Sequence, residues 1–192
     1  MEKHFYLCRH GQTNANLQGL WQGTSVDLSL NDTGIAQAKK LLEKLKDKNI
    51  NLVVSSALKR AKQTGNIIAS GLNIGNLMDA RLNECNFGDS EGLPIETIKV
   101  KYTRLYDLWI HPAPDTFSTK FPRGETQQHA YNRFMFALKD MMKLPESNIA
   151  IISHGGLIGL VKASLKQKEC IMSNCEFCHL TYDGNKLSVI ED

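Results

Sequence analysis

Phe5-Tyr6-Leu7-Cys8-Arg9-His10-Gly11 is the stretch that decides how this chain is read. An apolar run follows the polar start Met1–His4, then gives way to an arginine, a histidine and a glycine. A short apolar run ending on a turn residue reads as a buried strand, here over about residues 3–9. A second run, Ile149-Ala150-Ile151-Ile152-Ser153, ends in the same way in His154-Gly155-Gly156.

Working outward, strands and helices alternate. A loop rich in Gly, Asn, Gln and Thr runs to Leu30. Asn31-Asp32-Thr33 supplies capping side chains, and Ile35, Ala38, Leu41, Leu42 and Leu45 recur at helical spacing. Leu52-Val53-Val54 reads as a strand ending in Ser55-Ser56. Residues 58–70 read as a helix with Ala61, Thr64, Ile67 and Ile68 on one stripe. Leu77-Met78 is a short strand, and a helix beginning at Pro94 extends to Trp109. Residues 110–124 hold three of the five prolines and read as a loop. Gly124-Glu125 opens a helix to Met142, and 156–166 is a further helix. Residues 176–182 and 186–190 form a hairpin around Asp183-Gly184-Asn185. This order predicts an α/β three-layer sandwich, with a mostly parallel sheet, helices on both faces and an antiparallel edge strand. Ligands in such sheets bind outside the carboxyl ends of the strands.

Composition limits what the chain can be. At 192 residues it is expected to form one domain spanning 1–192. Lys and Arg number 23 against 20 Asp and Glu, a net charge of +3. That is too mild to point to nucleic acid and suits a small anionic substrate. No apolar stretch approaches the length of a membrane span. The start Met1-Glu2-Lys3-His4 lacks the apolar region of a signal peptide. Five irregularly spaced cysteines fit reduced thiols better than a disulfide framework. A cytoplasmic protein without membrane or nucleic-acid partners is expected, as a monomer or homodimer.

The candidate chemistry lies at the strand ends. Arg60 falls in the first turn after Ser55-Ser56, and Glu84 follows Leu82-Asn83. Parallel neighbouring strands would aim Arg9, His10, Arg60 and His154 at one crevice. Two guanidiniums offer bidentate donors to a phosphoryl group and never deprotonate. They also disfavour the imidazolium, keeping His10 neutral and nucleophilic. A poor alkoxide leaving group needs an acid to protonate it. Singly, each residue has a plainer reading: Arg9 and Arg60 as surface ion-pair partners, Glu84 as a solvated loop carboxylate, His154 as a core or capping histidine. Together, in order and at strand ends, they read as a site. No serine stands in a Gly-x-Ser-x-Gly elbow. Cys175 and Cys178 would face opposite sides of a strand, so they read as buried thiols and not as a zinc pair.

In these motifs the chain resembles the histidine phosphatase superfamily, the group that includes cofactor-dependent phosphoglycerate mutases. The resemblance rests on Arg9-His10-Gly11, Arg60, Glu84 and Ser153-His154-Gly155-Gly156 and extends from residue 5 to the last hairpin. It implies that His10 is the residue phosphorylated, that Arg9, Arg60 and His154 hold the phosphoryl group, and that Glu84 is the proton donor. Asn16, Gln22, Gly23, Thr24 and Gly155 would contact phosphate or substrate. No cofactor and no metal are implied. The short segment between Gly92 and Gly124, with Glu84-Cys85-Asn86-Phe87-Gly88 and Glu91-Gly92, looks like the phosphatase branch, which includes broad-specificity and alpha-ribazole phosphatases. Ser90 and Gly159 depart from the aromatic and the arginine that relatives often carry there. The expected activity is metal-independent hydrolysis of a small phosphorylated metabolite. The rivals are a cofactor-dependent phosphoglycerate mutase and a non-catalytic phospholigand-binding relative.

Overall fold

The structure is a computed structural model and describes residues 2–190. Its centre is a six-stranded sheet. The strands are β1 (Lys3–Arg9), β2 (Leu52–Ser55), β3 (Asn76–Met78), β4 (Asn148–Ser153), β5 (Phe177–Tyr182) and β6 (Leu187–Ile190). The spatial order is β3-β2-β4-β1-β5-β6. Strands β3, β2, β4 and β1 run parallel, and the terminal hairpin adds two antiparallel pairings, β5 on β1 and β6 on β5. The antiparallel edge strand expected of the hairpin is β6, and β5 lies between it and β1.

Side-chain alternation splits β1 between two cores. Phe5 and Leu7 join one, with Phe134 and Leu138 of α6 (Gln127–Met141) and Leu157 and Ile158 of α7 (Gly155–Ser164). Tyr6 and Cys8 join the other, with Ala38, Leu41 and Leu45 of α2 (Asp32–Leu45) and Ala61 and Ile68 of α3 (Lys59–Leu72). Each layer is what a period-2 strand and a period-3.6 helix produce when their apolar sides meet. Cys175 packs in the second core and Cys178 in the first, so they lie on opposite sides of the sheet. Among the described residues no helix is long and apolar enough to cross a membrane.

Two local features depart from the sequence reading. The loop after β1 contains a short helix, α1 (Asn14–Leu17), closed by a reciprocal cap between Thr13 and Asn16. The helix begun at Pro94 breaks at Tyr102, where φ is −132° and ψ is 38°, into α4 (Ile95–Lys101) and α5 (Thr103–Ile110). The Thr103 hydroxyl donates to the Lys99 carbonyl at 2.6 Å, a back-bond of the kind that bends helices.

The β1 loop and the start of α2 touch backbone to backbone. A Cβ on Gly11 would stand 2.5 Å from the Gly34 carbonyl oxygen, and one on Gly34 would stand 2.1 Å from that of Gln12. Only glycine fits at either place. The contact fixes the loop immediately after His10.

Candidate active site

β1 and β4 are neighbours in register, with Arg9 opposite Ser153, so His10 and His154 emerge side by side. Their ring centroids are 5.1 Å apart. His10 is almost fully buried, and its Nδ1 lies 2.7 Å from the Gly11 carbonyl oxygen. Nε2 has no hydrogen-bond partner among the described residues. His154 is fully buried, and its Nε2 lies 2.7 Å from the Ser56 hydroxyl. That hydroxyl donates to Asn83 Oδ1 and also receives the Leu58 N–H. Its one proton is therefore used, and His154 Nε2 must be the donor in their bond. His154 Nδ1 keeps its lone pair and is buried without a partner.

Arginines bracket the pair. Arg60 opens α3 and is 1% exposed. It donates to the carbonyl oxygens of Gly23 at 3.0 Å and Val26 at 3.1 Å, while Nε has no partner. Arg9 donates to the Met172 carbonyl, and its Nε is likewise unpartnered. Burial lowers the affinity of His10 for a proton, and the charges of Arg60 and then Arg9 lower it further. Burial, Arg60 and His10 act on His154 in the same direction. Both imidazoles are thus held neutral inside a cationic pocket.

Glu84 approaches from the turn after the Ala80–Leu82 3-10 helix. Its carboxylate accepts the N–H groups of Cys85 at 2.9 Å, Gly156 at 3.1 Å and Leu157 at 3.0 Å. The N-cap residue of α7, His154, makes no side-chain cap. Glu84 serves instead, and its carboxylate suits the positive end of that helix. A Cβ on Gly156 would stand 2.8 Å from Glu84 Oε1, which accounts for the second glycine of the pair.

A cavity of about 260 Å³ opens over these groups. Arg9, His10, Glu84, Asn16, Gln22 and Gly155 line it. Arg60 and His154 are buried beside His10 and do not line the cavity. Gly23 and Thr24, like them, are not among the residues that line it. Gly23 gives its carbonyl to Arg60, and the Thr24 N–H donates to Glu91 at 3.2 Å. Both lie one layer out because the loop turns away after Gln22 to fold over Arg60. Glu91 is occupied by the N–H groups of Thr24, Ser25 and Phe87 and holds that loop. Among the described residues no three His, Cys, Asp or Glu side chains gather as a metal would require.

The sequence reading missed two contributors. Arg133 of α6 donates to the carbonyl oxygens of Arg81, Asn83 and Glu84 and pairs with Glu125, so it clamps the Glu84 turn. Asn174 donates to the His10 carbonyl at 2.9 Å. Arg133 flanks the buried stripe Ala130-Phe134-Ala137, the one local hint that its charge is enclosed.

The sequence profile of the histidine phosphatase superfamily (branch 1) matches residues 5–191. The chain belongs to that superfamily. It is 30% identical to a Proteus mirabilis protein named probable phosphoglycerate mutase GpmB, over 94% of this chain and 85% of that one. Among solved structures, a mycobacterial glucosyl-3-phosphoglycerate phosphatase superposes with a TM-score of 0.85 at 25% identity, covering 98% of this chain and 97% of that one. The alpha-ribazole phosphatase of Shigella flexneri does so with a TM-score of 0.76 at 25% identity, covering 97% and 94%. The α/β architecture is that of these histidine phosphatases.

Proposed function

We propose that this histidine phosphatase superfamily member hydrolyses phosphate monoesters through a phosphohistidine on His10. One observation carries the reading. At the cavity floor, His10 Nε2 is unpartnered and its ring is held neutral between Arg9 and Arg60. A neutral imidazole with a free lone pair beside two guanidiniums is a nucleophile placed in a phosphate site.

In the first step Nε2 attacks phosphorus and the bond to the ester oxygen breaks. Arg9, in the cavity lining, faces the charge that spreads over the equatorial oxygens, and Arg60 adds its charge from beside His10, which His154 flanks. Glu84 lends its proton to the leaving oxygen. Two anions side by side favour a shared proton, so an arriving phosphate dianion supplies the condition for Glu84 to act as the acid. In the second step a water gives its proton to Glu84 and attacks phosphorus, the P–N bond breaks, and inorganic phosphate leaves. Asn16, Gln22 and Gly155 border the space for the ester, and the arginines supply the positive charge that a metal gives elsewhere. A cavity of this size suits a small phosphorylated metabolite.

The curated relatives are named as mutases, and that favours a second reading, in which a bisphosphorylated cofactor reloads His10 and no net hydrolysis occurs. One assay separates the two. Phosphate release is followed from a panel of monoesters, and conversion of 3-phosphoglycerate is followed with and without 2,3-bisphosphoglycerate. The hydrolase reading expects release without the bisphosphate, an acid-labile label on His10, and neither in His10→Ala. Turnover that depends on the bisphosphate would favour the mutase. No turnover of either kind would leave a phospholigand-binding protein.

A further inference from the structure

Among the described residues, the cavity over His10 carries charge only at its floor. Arg9 and Glu84 are the charged residues that line it. Above them stand Leu20, Trp21, Phe87, Ile95, Trp109 and Ile171. Trp21 and Phe87 meet edge to face at 5.2 Å, and Phe87 and Trp109 at 4.8 Å, so the wall is built from interlocked rings. The next charges outward, Lys168 and Glu169, are opposite in sign and line a neighbouring depression.

A substrate bearing a carboxylate or a second phosphate would place it against this wall. Arg9, the one cation among the described residues of the lining, would face the phosphoryl group. An anion buried without a partner is strongly disfavoured. An apolar group gains by leaving water in the same place.

Gly159 adds a second observation. It lies on α7 and lines the cavity without filling any of it. A Cβ there would stand 3.4 Å from the Cys170 carbonyl oxygen and 3.9 Å from its Cβ, which is ordinary contact. Nothing in the surrounding protein demands a glycine at this place, so the space it leaves is available to a ligand.

We propose that this cavity takes the monophosphate of an uncharged, apolar alcohol, alkyl or aryl, and that the absent side chain at Gly159 makes room for it. The proposal rests on the hydrolase reading for its reaction but not for its binding, and the two can fail separately.

The test uses n-alkylphosphonates, whose P–C bond is not hydrolysed, with calorimetric affinities on the whole protein. From propyl to hexyl, affinity is expected to rise roughly fourfold per methylene until the cavity is full. A phosphonate ending in a carboxylate should bind at least tenfold more weakly than its uncharged counterpart of equal length. The kcat/KM values of the matching alkyl phosphates should climb in parallel. In Gly159→Leu the hexyl-to-propyl affinity ratio should fall at least tenfold, with Gly159→Ala between, and circular dichroism would verify that both variants fold. Affinity that ignores chain length, tighter binding of the carboxylated ligand, or no phosphonate binding at all would overturn the proposal. An unchanged ratio in Gly159→Leu would overturn the role of that residue. Rising affinity without hydrolysis of any ester would uphold the pocket and refute the hydrolase. Hydrolysis without chain-length dependence would do the reverse.

Discussion

His10 Nδ1 lies 2.7 Å from the carbonyl oxygen of Gly11, the next residue in the chain. A carbonyl only accepts, so Nδ1 carries the proton and Nε2 the lone pair. The nucleophilic nitrogen is selected by backbone geometry at the strand end. Nitrogen-edited NMR of the imidazoles should show the Nδ1–H form of His10 persisting below pH 6.5, the ordinary histidine value. A titration midpoint at or above 6.5 would show that burial and the two arginines do not act as described.

The same shift couples stability to pH. His10 and His154 resist protonation when folded and accept it when unfolded. Their contribution is complete above pH 6.5, where both states are neutral, and is lost as pH falls below that value toward the depressed folded pKa. The loss should reach about 1.4 kcal/mol per pH unit for each histidine. Urea unfolding at pH 6.5 and 5.5 should show it, and His154→Gln should remove about half of the slope. A wild-type stability that is flat over this window would contradict the buried neutral pair.

Arg60 has two tasks at once. Its guanidinium ties the carbonyls of Gly23 and Val26 and places charge beside His10. Lysine keeps the charge but lacks the planar fork that can do both. Arg60→Lys should lower kcat/KM by roughly 10²–10³-fold, the usual cost of removing a fixed donor at a developing charge. Steady-state kinetics with a monoester would check this, and a loss below tenfold would make Arg60 a structural residue only.

Much of this arrangement is legible in the sequence, for a physical reason. An apolar run that stops at Arg9-His10-Gly11 or at His154-Gly155 marks a strand end, and parallel strands end on one side of a sheet. The sequence alone therefore places Arg9, His10, Arg60 and His154 together. It does not place β5 beside β1, since that pairing joins residues far apart in the chain through a register no local pattern encodes. Nor does it reveal the break at Tyr102, where apolar spacing continues unbroken and no proline or glycine intervenes. Asn14–Leu17 escapes because Asn16 closes the cap in place of the usual Glu or Gln. The path of the loop around Arg60, which takes Gly23 and Thr24 out of the cavity lining, is not legible either, because loop polarity says nothing about which side of Arg60 the chain takes.

Arg133 acts at a distance from the ester. It holds three carbonyl oxygens of the Arg81–Glu84 turn, at 2.8, 2.6 and 2.9 Å, and Glu125 anchors it. Arg133→Gln should cost on the order of 3 kcal/mol of stability, because Glu125 and these carbonyls lose a shared enclosed partner. It should also slow alkyl phosphates more than aryl phosphates, since a wandering Glu84 no longer meets the leaving oxygen. Equal slowing of both classes would confine Arg133 to stability.

The chemistry assigned to Glu84 yields the sharpest comparison. An alkyl phosphate departs as a strongly basic alkoxide and needs a proton in the transition state. p-Nitrophenyl phosphate departs as a stabilised phenolate and needs it far less. Glu84→Gln removes the proton and also disturbs the start of α7, because an amide cannot accept from Cys85, Gly156 and Leu157 as a carboxylate does. The structural disturbance acts on every substrate alike, whereas the missing proton acts on the poor leaving group. Glu84→Gln should therefore lower kcat/KM on an alkyl phosphate by roughly 10²–10⁴-fold, the range of general acid catalysis. On p-nitrophenyl phosphate the loss should be much smaller, provided that phosphorylation of His10 limits the rate. Both substrates are measured on one preparation of one variant, so a folding defect cancels in the ratio. Equal losses would leave Glu84 as the cap of α7 alone. Glu91 could not then take its place, because its carboxylate is spent on the N–H groups of Thr24, Ser25 and Phe87, and the proton would have to come from water.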